Sequence, residues 1–265
     1  MSDNPRLNVV MVTRNQPNMT MGSVISVMNQ TGPRSIRLHL VHNGLSPADS
    51  QTLLNRCNKD YGHHVRHVVL PGVVSLARAW NDAIEDIFTG FCGHEVVVVN
   101  NDVALHPKTF SKLVAYLNKH PKTGMVTGVG VGPEDSIEGN GAHPRPNPDF
   151  SCFLLTRKTW DTIGHFDTRY KIAYCEDNDF HVRMHLSGIP AVAIDVPFIH
   201  PGSGTLAGMS GTEAAEVRAQ ADKNRRAFKL KWNFEVGSPE YDRFFQTEWN
   251  RDTLWLDETV HIVEL

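Results

Sequence analysis

Three clusters in this sequence carry side chains able to bind or move charge. The first is Asn100, Asn101 and Asp102, which follow directly on a run of valines from Val96 to Val99. A carboxylate beside two amides suits a ribose hydroxyl and a hard divalent cation carrying phosphate oxygens, although Asn and Asp also end strands simply because they favour turns and cap helices. The second, "YCEDNDFHVRMHLSGIP", places Glu176, Asp177 and Asp179 at the start of a helix that Gly188 and Pro190 stop. Acids in a first turn compensate the helix dipole. Three of them between positions 176 and 179 exceed what capping needs, and free backbone amides at that end help keep a carboxylate ionised, ready to take a proton. The third, "FIHPGSGT", delivers His200 into a turn where Gly202, Ser203 and Gly204 offer backbone amides and a hydroxyl with little bulk. Such a turn suits close approach by phosphate, and neutral histidine is a common metal ligand.

These clusters need strands that end side by side. Short apolar runs alternate with amphipathic stretches along the chain: "LNVVMVT", a helix near 18–29, "IRLHLVHN", a helix near 47–57, "VRHVVL", a helix from about Ser75, "EVVVVNN" and a helix over about 107–119. That rhythm predicts an α/β fold with a Rossmann-like, mostly parallel central sheet and helices on both faces. The strands are nearly continuous apolar runs, as strands covered on both faces are. "GMVTGVGVG" follows, and then an irregular Gly- and Pro-rich stretch over 132–149, whose length predicts a functional lid or disorder. A strand and helix from Asp149, the acidic helix from Glu176, the strand "AVAIDVPFIH" and a helix over about 212–232 complete the pattern. Residues 1–236 are read as one domain and 237–265 as a C-terminal tail packing on it or extending it.

Composition narrows the function. With 40% apolar residues, 21% charged residues and a formal net charge of −3, no strong field selects a polyanion, so general nucleic-acid binding is not expected. Cys57, Cys92, Cys152 and Cys175 lack the close pairing of a zinc ribbon or redox motif and read as reduced thiols. No apolar run approaches the roughly 20 residues that cross a bilayer. The expectation is a cytoplasmic protein, at most peripheral to the inner face of a membrane.

Taken in order, the clusters resemble the inverting glycosyltransferases of family 2, nucleotide-sugar-dependent enzymes of the GT-A fold, from about Val9 to Trp232. "VTRN", with Thr13, Arg14 and Asn15, looks like that family's first nucleotide-binding turn; "VHNG" resembles its second, with His42 where an aspartate normally precedes Asn43. "PGVVSLARAWNDAI" is similar to the segment whose asparagine, here Asn81, sits beside the nucleotide, and "NND" to the Asn-any-Asp form of the metal motif. By that resemblance Asn100 faces the ribose, Asn101 lies on the donor side, and Asp102 binds the metal. "IGHFDTRYKIAYCEDNDFHVRM" matches the acceptor-side signature, which implies Asp177 as catalytic base with Glu176 beside it; "HPGSGT" implies His200 as second metal ligand. "NRRAFKLKW" is similar to the basic stretch that closes the domain, from which Lys229 and Lys231 could assist. A charge run on a helix is more commonly a solvated face.

The resemblance implies a divalent cation (Mn2+ or Mg2+), a UDP-, dTDP- or GDP-sugar donor, and a glycan, glycolipid or macromolecular acceptor. Modified nucleobases and proteins remain open as acceptors. Two other readings share these features: a silent GT-A module that holds a nucleotide sugar without turnover, and a nucleotidyltransferase, which attacks phosphorus but would more naturally follow its first strand with a glycine-rich basic loop than with "TRNQPNMTM". Tyr174 and Ser203 are candidate acceptor or phosphate contacts. Arg183 could reach a phosphate or pair with an acid of its own helix. His63, His64 and His67 flank or lie in a strand whose adjacent side chains point to opposite faces, and read as structural. Trp80 and Trp160 read as core.

Overall fold

The computed structural model describes residues 6–32, 34–91, 93–131, 142–143, 148–200 and 208–246. Its sheet is built outward from β1 (Leu7–Thr13), a strand buried along its whole length. On one side lie β2 (Ile36–His42) and then β3 (Val65–Val69), both parallel; on the other lies β4 (Glu95–Asn100), also parallel to β1. The chain thus lays down β1, β2 and β3 in one direction and returns to the far side of β1 for β4. That reversal opens a crevice at the carboxyl ends of β1 and β4, where ligands of open α/β sheets sit.

Beyond β4 the sheet becomes mixed. β8 (Cys152–Thr156) runs antiparallel to β4, and β6 (Met125–Val131) antiparallel to β8. β9 (Ala191–Ile199) then lies parallel to β6 and carries the two-residue strands β5 (Ala104–Leu105) and β7 (Ala142–His143). The expectation of a mostly parallel sheet with helices on both faces therefore holds, with an antiparallel strand inserted at its centre.

Alternation along the strands builds two cores. Val9, Met11, Val97 and Val99 face one cluster, which α1 (Pro17–Met28), α2 (Pro47–Tyr61) and α4 (Thr109–Lys119) cover; Val10, Val12, Val96 and Val98 face the other. Trp80, Phe88, Trp160, Phe166 and Phe180 fill that second cluster from α3 (Leu76–Gly90), α5 (Arg157–Ile163), α6 (Glu176–Leu186) and the loop between α5 and α6. Helix starts follow their sequence signals. Ser46, Ser75 and Thr156 each accept a backbone N–H from three residues on, and Ser210 and Glu213 form a capping box at the head of α7 (Gly211–Trp232).

The segment after Gly237 is more than a trailing end. Pro239–Gln246 forms α8, whose Tyr241 is fully buried in a third cluster with Tyr170, Cys175, Val182 and Phe228. Tyr241 Oη accepts a hydrogen bond from Asn178 Nδ2 at 3.0 Å, and Phe245 stacks on His181 at 4.1 Å. Residues 247–265, and most of the 132–149 stretch read as a lid, lie outside the described residues.

β6 and β9 slip register between Thr127 and Val129, and Gly128 sits in the slip. A Cβ there would stand 2.6 Å from the Val196 carbonyl oxygen and 2.9 Å from the Phe198 ring. Gly128→Ala must push the β9 backbone aside, an overpacking cost of about 1–3 kcal/mol. Chemical denaturation reads that loss; an unchanged midpoint would mean that the strands separate freely here.

Candidate active site

A cavity of about 670 Å³ opens at the predicted crevice, within the range of small-molecule sites. Its walls include Arg14 after β1, Asn43 after β2, Asn100 at the end of β4 with Asn101 and Asp102 after it, Tyr174, Glu176 and Asp177 at the head of α6, and His200 after β9. The three sequence clusters thus meet in one space.

Asp102 and His200 meet across its wall. His200 Nε2 stands 3.4 Å from Asp102 Oδ1, and His200 Nδ1 is 3.1 Å from Ser151 Oγ. The hydrogen bond to Asp102 raises the imidazole's affinity for a proton above its ordinary value, against the opposing effect of burial. One carboxylate oxygen and one imidazole nitrogen at this separation suit neighbouring positions on a divalent ion, where ligands about 2.1 Å from the metal lie roughly 3 Å apart. Among the described residues no group of three His, Cys, Asp or Glu side chains is placed to hold a metal. The donor set accordingly fits a hard cation that takes its other positions from phosphate oxygens and water, and not a closed structural site.

Glu176 and Asp177 differ in environment. Glu176 is 3% exposed, and its Oε2 has no hydrogen-bond partner among the described residues. Burial, and then the neighbouring Asp177 charge, push its carboxyl well above the ordinary range. Asp177 keeps part of its surface open to the cavity, and its Oδ1 accepts the Asn178 N–H at 2.8 Å. Burial pushes its carboxyl up as well, while hydrogen bonds from backbone N–H groups pull it back down. Both line the cavity, and Asp177 is the less buried of the two, while the upward push is stronger at Glu176 and favours its neutral form.

The loop that presents them is strained. Ile172, Tyr174 and Cys175 adopt φ of 62°, 81° and 74°, values that L-residues with side chains rarely take and that cluster at functional sites. Tyr174, 36% exposed, stands on the cavity wall. Cys57, Cys152 and Cys175 are free and buried, and burial pushes the Cys175 thiol up to about 12, so it is no nucleophile at neutral pH.

Several residues implied by the resemblance do other work. Asn81 is buried with its amide clamped on Phe166, donating to the carbonyl at 2.8 Å and accepting the N–H at 2.9 Å, so it braces a loop and lies off the cavity wall. Thr13 is fully buried and bonds Thr20 Oγ1 at 2.7 Å, and Asn101 Nδ2 donates to the same hydroxyl at 3.1 Å; together they tie β1 and the end of β4 to α1. Asn15 lies beside them, half-buried, off the cavity wall. Asn43 lines the cavity, but both ends of its amide bond the Val74 backbone, at 2.8 and 3.0 Å. His42, where the family pattern has aspartate, is buried between Ser50 and His67, at 3.0 and 2.9 Å, and burial lowers its pKa to about 4.

Three cationic candidates, Arg183, Lys229 and Lys231, are engaged elsewhere. Arg183 pairs with Asp179 at 2.9 Å and donates to the carbonyls of Ile163 and His165, so it serves its own helix and the loop after α5. Lys229 pairs with Glu235 on an exposed surface, and Lys231 with Asp167 and Asp179. Ser203 lies outside the described residues. In turn the structure adds Asp149 and Ser151 to the site. Asp149 lines the cavity and accepts the N–H of Gly130 at 3.0 Å and of Ser151 at 2.8 Å, and so sets the position from which Ser151 meets His200. The sequence signal was an acid at the foot of a Gly- and Pro-rich stretch, directly before a strand.

A mixed α/β sheet with acidic and metal-suited side chains gathered at a topological switch point is the place where ligands of open α/β sheets bind. The family model for glycosyl transferase family 2 matches residues 8–178, more than half of the 265 residues. The chain belongs to that family and is a glycosyltransferase. Among solved structures, it is similar to the mannosyltransferase PcManGT from Pyrobaculum calidifontis, in complex with GDP-Man and Mn2+, at a TM-score of 0.66 and 14% identity, covering 92% of this chain and 69% of that one. It is also similar to GalNAc-T7 with UDP, GalNAc and Mn2+, at a TM-score of 0.63 and 13% identity, covering 93% of this chain and 55% of that one. Both likenesses are of fold, and the fold is GT-A. No curated protein sequence matches the chain. No helix among the described residues is long and apolar enough to cross a membrane.

Proposed function

We propose that this glycosyltransferase inverts configuration, moving a sugar from a nucleoside-diphosphate sugar to an acceptor hydroxyl with Asp177 as general base. The observation that carries this reading is that Asp177 and the Asp102–His200 pair, from three different elements, open on one cavity. The acceptor hydroxyl attacks the anomeric carbon opposite the leaving group. The new carbon–oxygen bond forms as the bond to the diphosphate breaks, and the hydroxyl proton passes to a carboxylate oxygen of Asp177. Burial and the neighbouring Asp177 charge raise Glu176's affinity for a proton, which favours its neutral form beside an ionised base. Asn100 at the end of β4 and Arg14 after β1 line the cavity and would meet the nucleoside.

Asp102 and His200 would hold a divalent cation, Mn2+ or Mg2+, whose Lewis acidity would offset charge growing on the diphosphate. The neighbours' ligands support a nucleotide sugar and Mn2+ as ligands here too. The acceptor is a glycan, a glycolipid or a glycosylated macromolecule. Residues 1–236 are taken as the catalytic domain and 237–265 as its C-terminal extension, a division consistent with α8 packing on α6 and α7. The protein acts in the cytoplasm, in solution or at a membrane surface.

Incubation with labelled nucleotide sugars tests the reading, with released nucleotide and product anomer as readouts. Release of nucleoside diphosphate with an inverted linkage supports it; a retained linkage removes Asp177 from its role. Ser151 supplies a second expectation. Through Nδ1 it fixes the ring that presents Nε2 toward Asp102, and loss of such an outer partner typically weakens metal binding by about 10- to 100-fold. Ser151→Ala should show that drop in Mn2+ affinity by electron paramagnetic resonance in the presence of nucleoside diphosphate, and Ser151→Thr should largely restore it. Equal affinities would reduce Ser151 to packing.

A further inference from the structure

The loop from Lys171 to Cys175 combines three left-handed, non-glycine residues with the carboxylates that follow it. Such a conformation persists only where its surroundings over-determine it. One side chain does most of that. Asn224, in the middle of α7 and 2% exposed, donates from Nδ2 to the carbonyls of Lys171 at 2.9 Å, Ala173 at 2.9 Å and Tyr174 at 3.1 Å. Its Oδ1 accepts the Lys171 N–H at 3.3 Å and is itself braced by Gln220 Nε2 at 2.9 Å. A second anchor, from the Leu76 N–H to the Ile172 carbonyl at 2.7 Å, ties the loop to the head of α3. Only Glu176 separates the last left-handed residue, Cys175, from Asp177, so the angle at which α6 starts follows from the loop.

We infer that Asn224 is a positioning residue for the catalytic base: by holding three carbonyls of one strained loop from a distant helix, it sets where Asp177 meets the acceptor hydroxyl. This rests on the reading of Asp177 as base. An asparagine suits the task because its planar amide offers donors and an acceptor together, and a buried group facing several carbonyls must donate. Among the described residues the hydrogen bonds of Asn224 go to this loop and to Gln220, and none to β1, β2 or β4 on the donor side of the cavity.

The test is a double-mutant cycle on the full chain, with kcat, donor Kd and thermal midpoint measured for the wild type, Asn224→Ala, Asp177→Asn and the pair. A displacement of about 1 Å at a reacting group can cost on the order of 10²-fold in rate. Asn224→Ala should lower kcat by about 10- to 100-fold at constant folded fraction and leave donor Kd within about twofold. In the Asp177→Asn background it should cost almost nothing further, because groups acting as a unit are not additive. Asn224→Asp keeps the shape and the acceptor for Lys171 and Gln220 while removing the donor; it should repeat the pattern if the alanine variant folds poorly. Unchanged kcat in both variants, or losses that multiply in the double mutant, would overturn the inference, since a purely structural asparagine acts independently of the base. Failure of the parent reading looks different: Asp177→Asn would then itself retain turnover, and the inference falls with it.

Discussion

Asp177→Asn should abolish sugar transfer while donor affinity and fold survive. The amide is nearly isosteric, and its oxygen can still accept the Asn178 N–H that the carboxylate now takes at 2.8 Å. It cannot accept a proton, and loss of a general base typically lowers rate by about 10²- to 10⁴-fold. Stability should move little or upward. A carboxyl whose folded pKa is raised gives the native state more bound protons than the unfolded chain, so stability falls as pH rises through the window between the unfolded and folded values. Asp177 is raised by burial, and Asp177→Asn removes the cost of ionising that buried carboxyl. The same shift places the acidic limb of kcat/KM above the ordinary aspartate range near about 4. Activity rises with pH through that limb, because the base works deprotonated. Glu176→Gln is the control: if it damages turnover more than Asp177→Asn, the base is Glu176.

Asp102→Asn should be nearly as damaging, for a different reason. Its carboxylate is buried against His200 at the end of β4, and an amide there keeps a hydrogen-bond partner for the ring but loses the charge that a hard cation requires. Mn2+ binding in calorimetric titration should weaken severely. Turnover should fall by at least about 10²- to 10³-fold, the scale on which one preorganised electrostatic contact to a transition state is lost. Unlike Asp177→Asn, this change should also weaken the donor, since the diphosphate and the cation bind together. Full turnover in excess chelator, or an Asp102→Asn enzyme of normal rate, would remove the cation from the reaction.

What could be read from the sequence is what depends on local pattern. The strand that ends at Asn100 announces itself because four valines alternate between two cores and then stop at polar residues. The head of α6 is equally visible, in its acids and its stop at Gly188. What stayed hidden depends on partners far along the chain. Asn81 looks like a ligand contact until the Phe166 backbone, 85 residues away, takes both ends of its amide. Lys229 looks free until Glu235 curls back to it. β8 reads the same in either direction, because alternation has no polarity, so its antiparallel insertion between β4 and β6 has no sequence mark. Asn224 sits in a basic, solvent-facing stretch and shows its role only when the left-handed loop lies under it.

The central claim is that the cavity binds a nucleoside-diphosphate sugar through Asp102 and His200 and turns it over. The most direct measurement is an assay of UDP-, GDP- and dTDP-sugars with the wild-type chain, with Mn2+ or with chelator, that resolves the released nucleotide by mass. At least one donor should release nucleoside diphosphate with Mn2+ and none in chelator. Release of pyrophosphate, or turnover indifferent to the cation, would contradict the claim.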